Sequence, residues 1–463
     1  MIVGGGIAAL EAVLALRELA PRAIRATVLA PEVEFTYRAL AAVEPFGLGQ
    51  MRRLPLAELA AEFSFTHVQD RLRSVEPQRR TLRTESGTDL TYGALLIATG
   101  ARANPALSGA LTYGGAQSNP RLAELLREIR LGEVGRVVFA VPEDTDWPLP
   151  LYELALLTAT QASASSVAPE IALVTSEQAP LGMFGDRASA GIARLLESSG
   201  IEVATAATAI RADDEGLLLD DGTTVGADRV VALPRFDVPE IPGVPQAADG
   251  FIGTDRYMKV EGVSRVWAAG DATWFPIKQG GIAAQQADSA AHSIARLVDP
   301  AVELQAFRPV LRAALLTGKA PWYLRAAIGD RPRTSAAGTA PLWWPPAKVA
   351  GRHLGPYLAR AAGVTGPHDR LPELADVETL EGEELAETEA DHMEALGLAL
   401  TAADADARWR DYDGALRWLE VAEKINLTLP PEYERKRQAW ERRRKPSAAE
   451  VPRSSRAAPT ATQ

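Results

Sequence analysis

The sequence opens with Met1-Ile-Val-Gly-Gly-Gly-Ile-Ala-Ala-Leu-Glu-Ala-Val-Leu-Ala15, an apolar start that runs through three glycines into an alanine- and leucine-rich helical pattern. It predicts a strand, a tight turn and a helix, with Gly4, Gly6 and Ala9 spaced as G-x-G-x-x-A. Gly4 permits a sharp turn, Gly6 lets a pyrophosphate approach the backbone, and Ala9 lets the helix pack closely on the strand. The first helical residues, Ile7 and Ala8, offer free N–H groups at the positive end of the helix dipole. The stretch predicts a dinucleotide site, with a small-residue turn of an unrelated α/β protein as the alternative.

The composition of the chain limits the number of domains and the kinds of partner and site that are possible. The chain has 463 residues, of which 47% are hydrophobic and 24% charged, which predicts a globular protein of two or three domains. A net charge of −11 without a basic stripe argues against nucleic acid as a partner. The absence of cysteine excludes disulfides, cysteine-ligated metals and thiol redox chemistry, and no metal site is predicted.

The length of the apolar runs and the start of the sequence indicate where in the cell the protein is expected. No run reaches the roughly 20 residues of a spanning helix, and no signal peptide precedes the glycines, so we expect a cytoplasmic protein. Only Met1, Ile2 and Val3 precede the first glycine. Either this strand is short, or the natural chain begins a few residues earlier.

The next elements continue a nucleotide fold. Residues 26–30 predict a second parallel strand, after which an acidic residue normally binds a ribose hydroxyl. Glu32 is the candidate, with an exposed loop carboxylate as the equal alternative. Residues 35–39 predict a loop entering a helix, in which Arg38 is a further candidate contact. Residues 65–75 predict a strand pair containing Val68, also a cofactor candidate, and residues 82–90 predict a hairpin that turns at Ser86-Gly87.

Two further strands end in glycine. Residues 94–98 predict a buried strand that breaks at Ala98-Thr99-Gly100, where small residues would let a cofactor lie against the backbone. Residues 266–273, Val-Trp-Ala-Ala-Gly-Asp-Ala-Thr, break at Gly270-Asp271 and lead into a long helix over 282–297. At its start, Gly281 and Ile282 would point unpaired N–H groups at an electron-rich ligand atom. Taken singly, the alternatives are an ordinary core strand and an aspartate that caps a turn.

Residues 113–235 predict an inserted α/β unit. Strands are expected over 136–140, 171–175, 200–204, 216–220 and 229–233, with helices over 152–160 and 188–198. The turn after the first strand, residues 141–150, contains no glycine. A second pyrophosphate could not approach the backbone there in the usual manner.

The three glycine-ended strands, in this order and spacing, resemble the FAD-binding elements of the flavoprotein superfamily that includes glutathione reductase, type II NADH dehydrogenase and sulfide:quinone oxidoreductase. The resemblance covers roughly residues 1–330. Residues 147–155, Trp-Pro-Leu-Pro-Leu-Tyr-Glu-Leu-Ala, are similar to the C-P-P-A-P-Y-E segment of sulfide:quinone oxidoreductases and of the flavocytochrome c sulfide dehydrogenase flavoprotein. Residues 307–325 also resemble a segment of that branch. Trp147, however, stands where those enzymes carry a cysteine, so a persulfide cannot form on this protein.

The resemblance implies non-covalent FAD as the cofactor and two catalytic candidates. Glu153 would lie at the start of a helix facing the N5 side of the flavin and carry protons if burial raises its pKa. The alternative is a first-turn glutamate that complements the helix dipole. Lys278 would stabilise the anion that develops on the reduced flavin, with a solvated loop lysine as the alternative.

The C-terminal third departs from nucleotide folds. Residues 342–360 mix Trp343 and Trp344 with Lys348, Arg352 and Arg360, a pattern for peripheral contact with the inner face of a membrane, although the prolines favour a lid over the flavin. Residues 366–394 predict a solvated acidic linker. Residues 395–445 predict a helical hairpin like a single tetratricopeptide repeat that docks on the body or on a protein partner, and residues 446–463 predict a disordered tail.

The sequence therefore predicts an α/β protein with two tandem Rossmann-like three-layer domains, as in glutathione reductase, and a C-terminal helical extension. The FAD-binding domain is expected over 1–112 and 236–300, the inserted unit over 113–235 and a cap over 301–365. The predicted activity is an FAD-dependent oxidoreductase with a small-molecule electron donor and acceptor, a quinone among them. The alternatives are an NAD(P)H-dependent flavoprotein and a redox-inactive FAD-containing scaffold.

Overall fold

The structure is a computed structural model that describes residues 1–361, apart from 144, 146, 164–167, 329–334, 340 and 344–346. It also describes residues 429–443 and, before them, 400, 403, 407, 412, 415, 416, 419, 422 and 423. The chain divides into two compact units, Met1–Ala386 and Glu387–Gln463. The predicted linker and disordered tail lie outside the described residues.

The described helices follow in chain order: α1 (Ile7–Leu19), α2 (Leu56–Phe63), α3 (Asn119–Arg130), α4 (Leu149–Ser163), α5 (Asp186–Ser198), α6 (Gly280–Ala295), α7 (Leu354–Ala361) and α8 (Pro431–Arg443).

The described strands are short. They are β1 (Ile2–Val3), β2 (Thr27–Leu29), β3 (Glu34–Tyr37), β4 (Arg52–Pro55), β5 (Thr66–Val68), β6 (Leu72–Glu76), β7 (Thr81–Thr84), β8 (Asp89–Thr91), β9 (Leu95–Ile97), β10 (Arg102–Pro105), β11 (Leu111–Thr112), β12 (Arg136–Val141), β13 (Glu170–Thr175), β14 (Ile201–Ala204), β15 (Ala209–Asp213), β16 (Gly216–Leu219), β17 (Thr224–Gly226), β18 (Arg229–Ala232), β19 (Pro234–Asp237), β20 (Val266–Ala268), β21 (Val310–Leu315), β22 (Trp322–Ala327) and β23 (Ser335–Gly338).

The first parallel sheet has the order β20-β9-β1-β2-β5. Its central strands β1, β9 and β20 are buried on both faces and are short apolar runs without alternation. On one face α1 and α6 pack together through alanines, which let two helices approach closely. These include Ala9, Ala12 and Ala15 of α1 and Ala283, Ala287 and Ala290 of α6.

The second parallel sheet has the order β11-β18-β12-β13-β14 and belongs to the inserted segment. The predicted strands and both predicted helices of this segment are present, with ends shifted by a few residues. Val137 and Phe139 of β12 turn one way into a large core with α4 and α5, while Val138 and Ala140 face a smaller core over β15–β17. The two parallel sheets confirm the predicted α/β fold class. The domain boundaries stay predictions.

Three sequence interpretations were wrong. Residues 35–39 are not a loop entering a helix, because Glu34–Tyr37 is strand β3 and pairs with β4. Residues 65–75 do not form a strand pair: β5 joins the parallel sheet, whereas β6 pairs with β7 in a separate one. The helix predicted over 282–297 begins at Gly280 and ends at Ala295, because Gln279 caps it earlier.

The C-terminal unit is described in part. Ala415, Leu419 and Ala422 are helical and buried, at the spacing of one helix face. Arg437 of α8 forms a bidentate ion pair with Glu423. The single-repeat hairpin stays a prediction, since most of its residues lie outside those described.

Candidate functional site

The glycine-ended strands finish at one edge of the first sheet. Val3 pairs with Ile97 and Ile97 with Ala268, and all these strands are parallel. Their carboxyl ends therefore lie side by side, which brings the residues that follow them together. Gly4, the Ala98-Thr99-Gly100 turn and the Gly270-Asp271 turn share this edge, which is where ligands bind in open parallel sheets.

Gly4 and Gly6 have different roles. Gly4 has φ +120°, and a Cβ there would lie 2.1 Å from the carbonyl oxygen of Ala98, so it permits strand contact. Gly6 has φ −93° and caps α1, and a Cβ there would meet nothing within 4 Å. The space above Gly6 is the opening that a pyrophosphate requires at a helix N-terminus.

Glu32 follows β2 and Val68 ends β5, at the same edge of the sheet as Gly4. The Glu32 Oε2 atom is 3.6 Å from the position of a Cβ on Gly5. Val68 ends β5, next to Leu29 of β2, and its carbonyl accepts the Ala30 N–H. Glu32 is exposed and within reach of the glycine turn, as a ribose-binding carboxylate would be.

Gly270 joins the starts of the two helices. It has φ +82°, and a Cβ there would meet the methyl groups of Ala8 at 3.4 Å and Ala283 at 3.5 Å. Its N–H donates to Oε1 of the buried Gln286 at 2.7 Å. The small side chains hold the N-termini of α1 and α6 together at the edge of the sheet.

The charges of two cationic side chains act on the Asp271 carboxylate. Burial raises the pKa of the Asp271 carboxyl, while the charges of Lys278 and Arg38 act in the opposite direction. Arg38 lies in the short 3₁₀ turn after β3, so its charge acts on Asp271 from a segment that is distant in sequence. Among the described residues no group hydrogen-bonds to the Asp271 side chain, which leaves its acceptors for a ligand hydroxyl or water.

Lys278 is buried rather than solvated. Its Nζ donates to the carbonyls of Thr273 at 2.6 Å and Phe275 at 2.7 Å, and it lies 3.8 Å from the ring centre of Phe251. The lysine therefore fixes the loop between Asp271 and α6, and its charge also acts on the Asp271 carboxyl.

The N-terminus of α6 has a side-chain cap that the sequence interpretation missed. Gln279 Oε1 accepts the Ile282 N–H at 2.8 Å, and its amide donates to the carbonyl of Arg312. The Ile282 N–H is thus occupied by Gln279. The expectation that it would be free for a ligand was wrong. Gly281 lies beside the same cap, where a Cβ would be 2.9 Å from Gln279 Oε1.

Glu153 forms a fully buried ion pair. It is the fifth residue of α4, and Oε2 accepts from Lys348 Nζ at 2.6 Å while Oε1 accepts the Leu316 N–H at 2.9 Å. Burial raises the pKa of Glu153, and the charge and hydrogen bond of Lys348 oppose that rise. No acidic residue occupies the first turn of α4, so the interpretation as a dipole-complementing glutamate is wrong.

The segment that carries Lys348 packs inward. Trp343 contacts the ring of Tyr323 and donates to the carbonyl of Ala347. The Val349 side chain lies 2.9 Å from the position of a Cβ on Gly280, and that position is also 2.8 Å from Ile7. The described part of 342–360 thus connects the Glu153 pair to the starts of α1 and α6. Sequence reasoning missed this role of Lys348, because nothing local pairs it with a residue 195 positions away.

These observations fit an FAD. The opening at Gly6, the small residues at Gly100 and Gly270, and the unbonded Asp271 carboxylate are the features that such a cofactor needs. Within the described residues no helix has the length and apolarity needed to cross a membrane.

Comparisons with known proteins support the same assignment. The family model described as pyridine nucleotide-disulphide oxidoreductase matches residues 153–292. A sulfide-quinone reductase of Aquifex aeolicus is 24% identical over 328 residues, which cover 64% of this chain and 75% of that protein. A NADH dehydrogenase-like protein of Mycobacterium tuberculosis is 25% identical over 238 residues, 47% of this chain and 58% of that protein.

A solved structure shares the fold. The X-ray structure of the sulfide:quinone oxidoreductase from Aquifex aeolicus superposes with a TM-score of 0.67 at 21% identity, covering 73% of this chain and 86% of that chain. With the glycine-ended strands and the family match, these comparisons show that the chain is similar to the pyridine nucleotide-disulphide oxidoreductases, with a sulfide:quinone oxidoreductase among its relatives, and they support an FAD-dependent oxidoreductase.

Proposed function

We propose that this protein passes electrons between a small-molecule donor and acceptor, a quinone among the acceptors, through non-covalent FAD and without a protein thiol. The chain has no cysteine, and Trp147 packs edge-to-face on Phe184 where related enzymes carry one. A donor must therefore react directly with the cofactor.

The buried Glu153–Lys348 pair is the observation that carries the proposal. A buried ion pair is weak evidence for stability, because the desolvation of both charges offsets their attraction. This pair lies where the 347–349 segment reaches the starts of α1 and α6. Such placement favours a chemical role over a structural one.

FAD supplies two-electron redox chemistry, and the chain supplies binding and proton control. Gly6 and the N-terminus of α1 would hold the pyrophosphate, Glu32 a ribose, and Asp271 a hydroxyl of the linking chain. Glu153 would give and take the proton that accompanies reduction, with Lys348 keeping the carboxylate available as a base. Lys278 would act by holding the loop after Asp271.

The inserted segment is poorly suited to a nicotinamide dinucleotide. At the carboxyl end of its sheet, Glu177 Oε2 accepts from the hydroxyl of the buried Tyr152 at 2.6 Å and from Thr175 at 3.0 Å. The carboxylate in the place where a ribose would bind is therefore already engaged. These contacts argue against the NAD(P)H-dependent alternative, although one relative is named NADH dehydrogenase-like.

An anaerobic reduction screen of the purified yellow protein tests the proposal. We expect a quinol or another direct donor to bleach the flavin near 450 nm, and sulfide to do so only slowly. Saturable reduction by sulfide at roughly 1–10³ per second would show that a thiol is not needed for that chemistry. A flavin that no donor or quinone can titrate would instead support the scaffold alternative.

The membrane and partner assignments stay proposals. Leu342 and Lys348 are buried and Trp343 packs on Tyr323, so the described residues of 342–360 favour the lid over a membrane-facing surface. Arg352 remains exposed. We keep the cytoplasmic location, and a protein partner for the C-terminal hairpin, as hypotheses.

A further inference from the structure

Gln286 is a buried polar side chain of α6 to which the proposed function gives no role. It is 1% exposed, and both ends of its amide contact the turn that follows β20. Its Oε1 atom accepts the Gly270 N–H at 2.7 Å, and its Nε2 atom donates to the Thr273 hydroxyl at 3.1 Å. Because a buried amide is costly unless it is hydrogen-bonded, these contacts fix the side chain and the turn together.

The hydroxyl of Thr273 closes a small network of hydrogen bonds. Its nearer acceptor is the carbonyl of Gly270 at 2.9 Å, and the Thr273 N–H donates to the same carbonyl at 3.0 Å. Since the hydroxyl proton points at Gly270, the hydroxyl oxygen is left to accept from the Gln286 amide. The network has one direction only, because turning the amide round would place its NH2 group against the Gly270 N–H.

The turn that is held in this way carries Asp271. Gln286 binds the N–H of Gly270 and Thr273 binds its carbonyl, so the peptide groups on both sides of Gly270 are fixed. The second of these peptide groups is the bond to Asp271, and it sets the direction in which the Asp271 side chain leaves the backbone. After Asp271, the carbonyl of Thr273 is held by Lys278 at 2.6 Å. The backbone is thus fixed before and after the carboxylate.

From these contacts we propose that Gln286, with the Thr273 hydroxyl, is a positioning residue that holds the 270–273 turn so that the Asp271 carboxylate meets a hydroxyl of FAD. The inference rests on the proposed role of Asp271 in binding the cofactor. Gln286 itself acts through Asp271. Without the amide, the Gly270 N–H is buried with no acceptor, and the turn escapes that cost only by rotating, which moves Asp271.

The preceding residue of α6, Gln285, provides a matched control. Both ends of its amide are also hydrogen-bonded, but to the N–H and the carbonyl of Val310 in β21, at 2.9 Å each. Gln285 and Gln286 therefore differ in the segment that they hold. Q285M and Q286M remove the same atoms from neighbouring positions of one helix, and only Q286M frees the turn that carries Asp271.

The rate at which the holoprotein releases its flavin tests the inference, measured as the rise in flavin fluorescence after dilution. We expect Q286M to release FAD roughly tenfold faster than the wild type or more, as when a buried N–H loses its acceptor. T273V should act in the same direction, whereas T273S keeps the hydroxyl and should restore a rate close to that of the wild type. Q285M should lower the free energy of unfolding in urea without faster release of FAD.

A double variant tests whether Gln286 acts through Asp271. D271A should itself speed the release of FAD, and adding Q286M to it should change the rate little further, because residues that act through one contact are not additive. Independent, multiplying effects of Q286M and D271A on the rate would overturn the inference.

Two other results would also overturn it. One is release at the wild-type rate in both Q286M and T273V, and the other is equal acceleration by Q285M and Q286M, because the effect would then belong to any glutamine lost from α6. D271A separates these failures from that of the proposed function. If D271A releases FAD at the wild-type rate, the proposed role of Asp271 is wrong; if D271A is fast while Q286M and T273V are not, only the positioning role is wrong.

Discussion

The two motif glycines of the first turn, Gly4 and Gly6, have different roles. Gly4 is required by the protein itself, because a side chain would overlap the Ala98 carbonyl at a φ that other residues avoid. Gly6 faces open space with ordinary backbone geometry, so the fold does not need it. In one motif, Gly4 is thus needed for folding, whereas Gly6 is free for the cofactor contact that we propose.

Replacing Gly6 should therefore affect flavin binding, whereas replacing Gly4 should affect folding. We expect Gly6→Val to fold with the wild-type circular dichroism spectrum but to be colourless, and Gly4→Val to be destabilised or insoluble. Gly253→Val, which also meets nothing within 4 Å, is the control and should stay yellow. Full flavin retention in Gly6→Val would remove the pyrophosphate from this turn.

The Glu153–Lys348 pair predicts asymmetric effects on stability. Lys348→Met leaves a buried carboxylate uncompensated and should lower the free energy of unfolding by about 3–5 kcal/mol at neutral pH. The double variant E153Q/K348M should recover much of that loss. Urea denaturation measures both, and a single variant no less stable than the double one would contradict the pairing.

At the residue scale, the sequence predicts which residues lie together only where the signal is local, and their cofactor contacts stay predictions. The glycines and Asp271 stand in short motifs, and the structure places them at one edge. Lys348 and Gln279 could not be assigned, because their partners Glu153 and Arg312 come from distant segments. No spacing in the sequence records such contacts.

Among the elements, α7 has an unusual cap. Its first N–H groups, those of His353 and Leu354, donate to the two carboxylate oxygens of Glu11 at 2.8 and 2.7 Å. Glu11 is buried within α1, so one helix caps another. The His353 ring also lies 3.3 Å from both Asp288 and Glu18.

This cluster predicts a pH window of stability. Burial would lower the pKa of His353, but the hydrogen bond to Asp288 and the charges of Glu11, Asp288 and Glu18 raise it overall. Burial would raise the pKa of Asp288, but the hydrogen bond from His353 and nearby cations lower it overall. The contribution of His353 to stability is fully present below its ordinary pKa of about 6.5. It is lost as pH rises through the raised pKa of the folded state. The aspartate contribution is present above its ordinary value and is lost as pH falls.

His353→Gln should therefore lower the melting temperature most near pH 5 to 6, by the loss of a charged hydrogen bond worth about 1.5–3 kcal/mol. The variant and the wild type should converge at alkaline pH, once His353 is neutral in the folded state. A difference in melting temperature that does not change with pH would show that the ring only fills space.

Element prediction failed in an instructive place. Sheet β21-β22-β23 was not predicted, because Leu311-Arg-Ala-Ala-Leu315 consists of strong helix formers. Alternate residues Leu311, Ala313 and Leu315 enter the large core and decide the matter. By contrast, β12 and β13 are rich in valine and were found, since propensity and burial agree there.

For the whole molecule, the two parallel sheets end differently. The first ends in glycines and open space, and the second in Trp147, Tyr152 and the engaged Glu177. We therefore expect the first of these edges, and not the second, to bind a nucleotide. The fold class follows from the strand pattern, whereas the state of each edge depends on single side chains.

This difference predicts weak binding of nicotinamide cofactors. Losing two charge-assisted hydrogen bonds of about 1.5–3 kcal/mol each should weaken binding by roughly two to four decades. We expect millimolar or weaker dissociation constants for NADH and NADPH by calorimetry on the holoprotein. A low-micromolar value for either would place the NAD(P)H-dependent alternative first.

The cap of α7 by Glu11 also has a consequence for biosynthesis. The two partners are separated by 342 and 343 positions. At about 5–20 residues per second, a ribosome needs roughly 17–70 s to make the second partner after the first. Throughout that interval, the Glu11 carboxylate of α1 lacks the two N–H donors that bind it in the folded protein. The nascent N-terminal segment therefore depends on a strand, β20, and a helix, α7, that emerge late, and we expect it to need protection until both have left the ribosome.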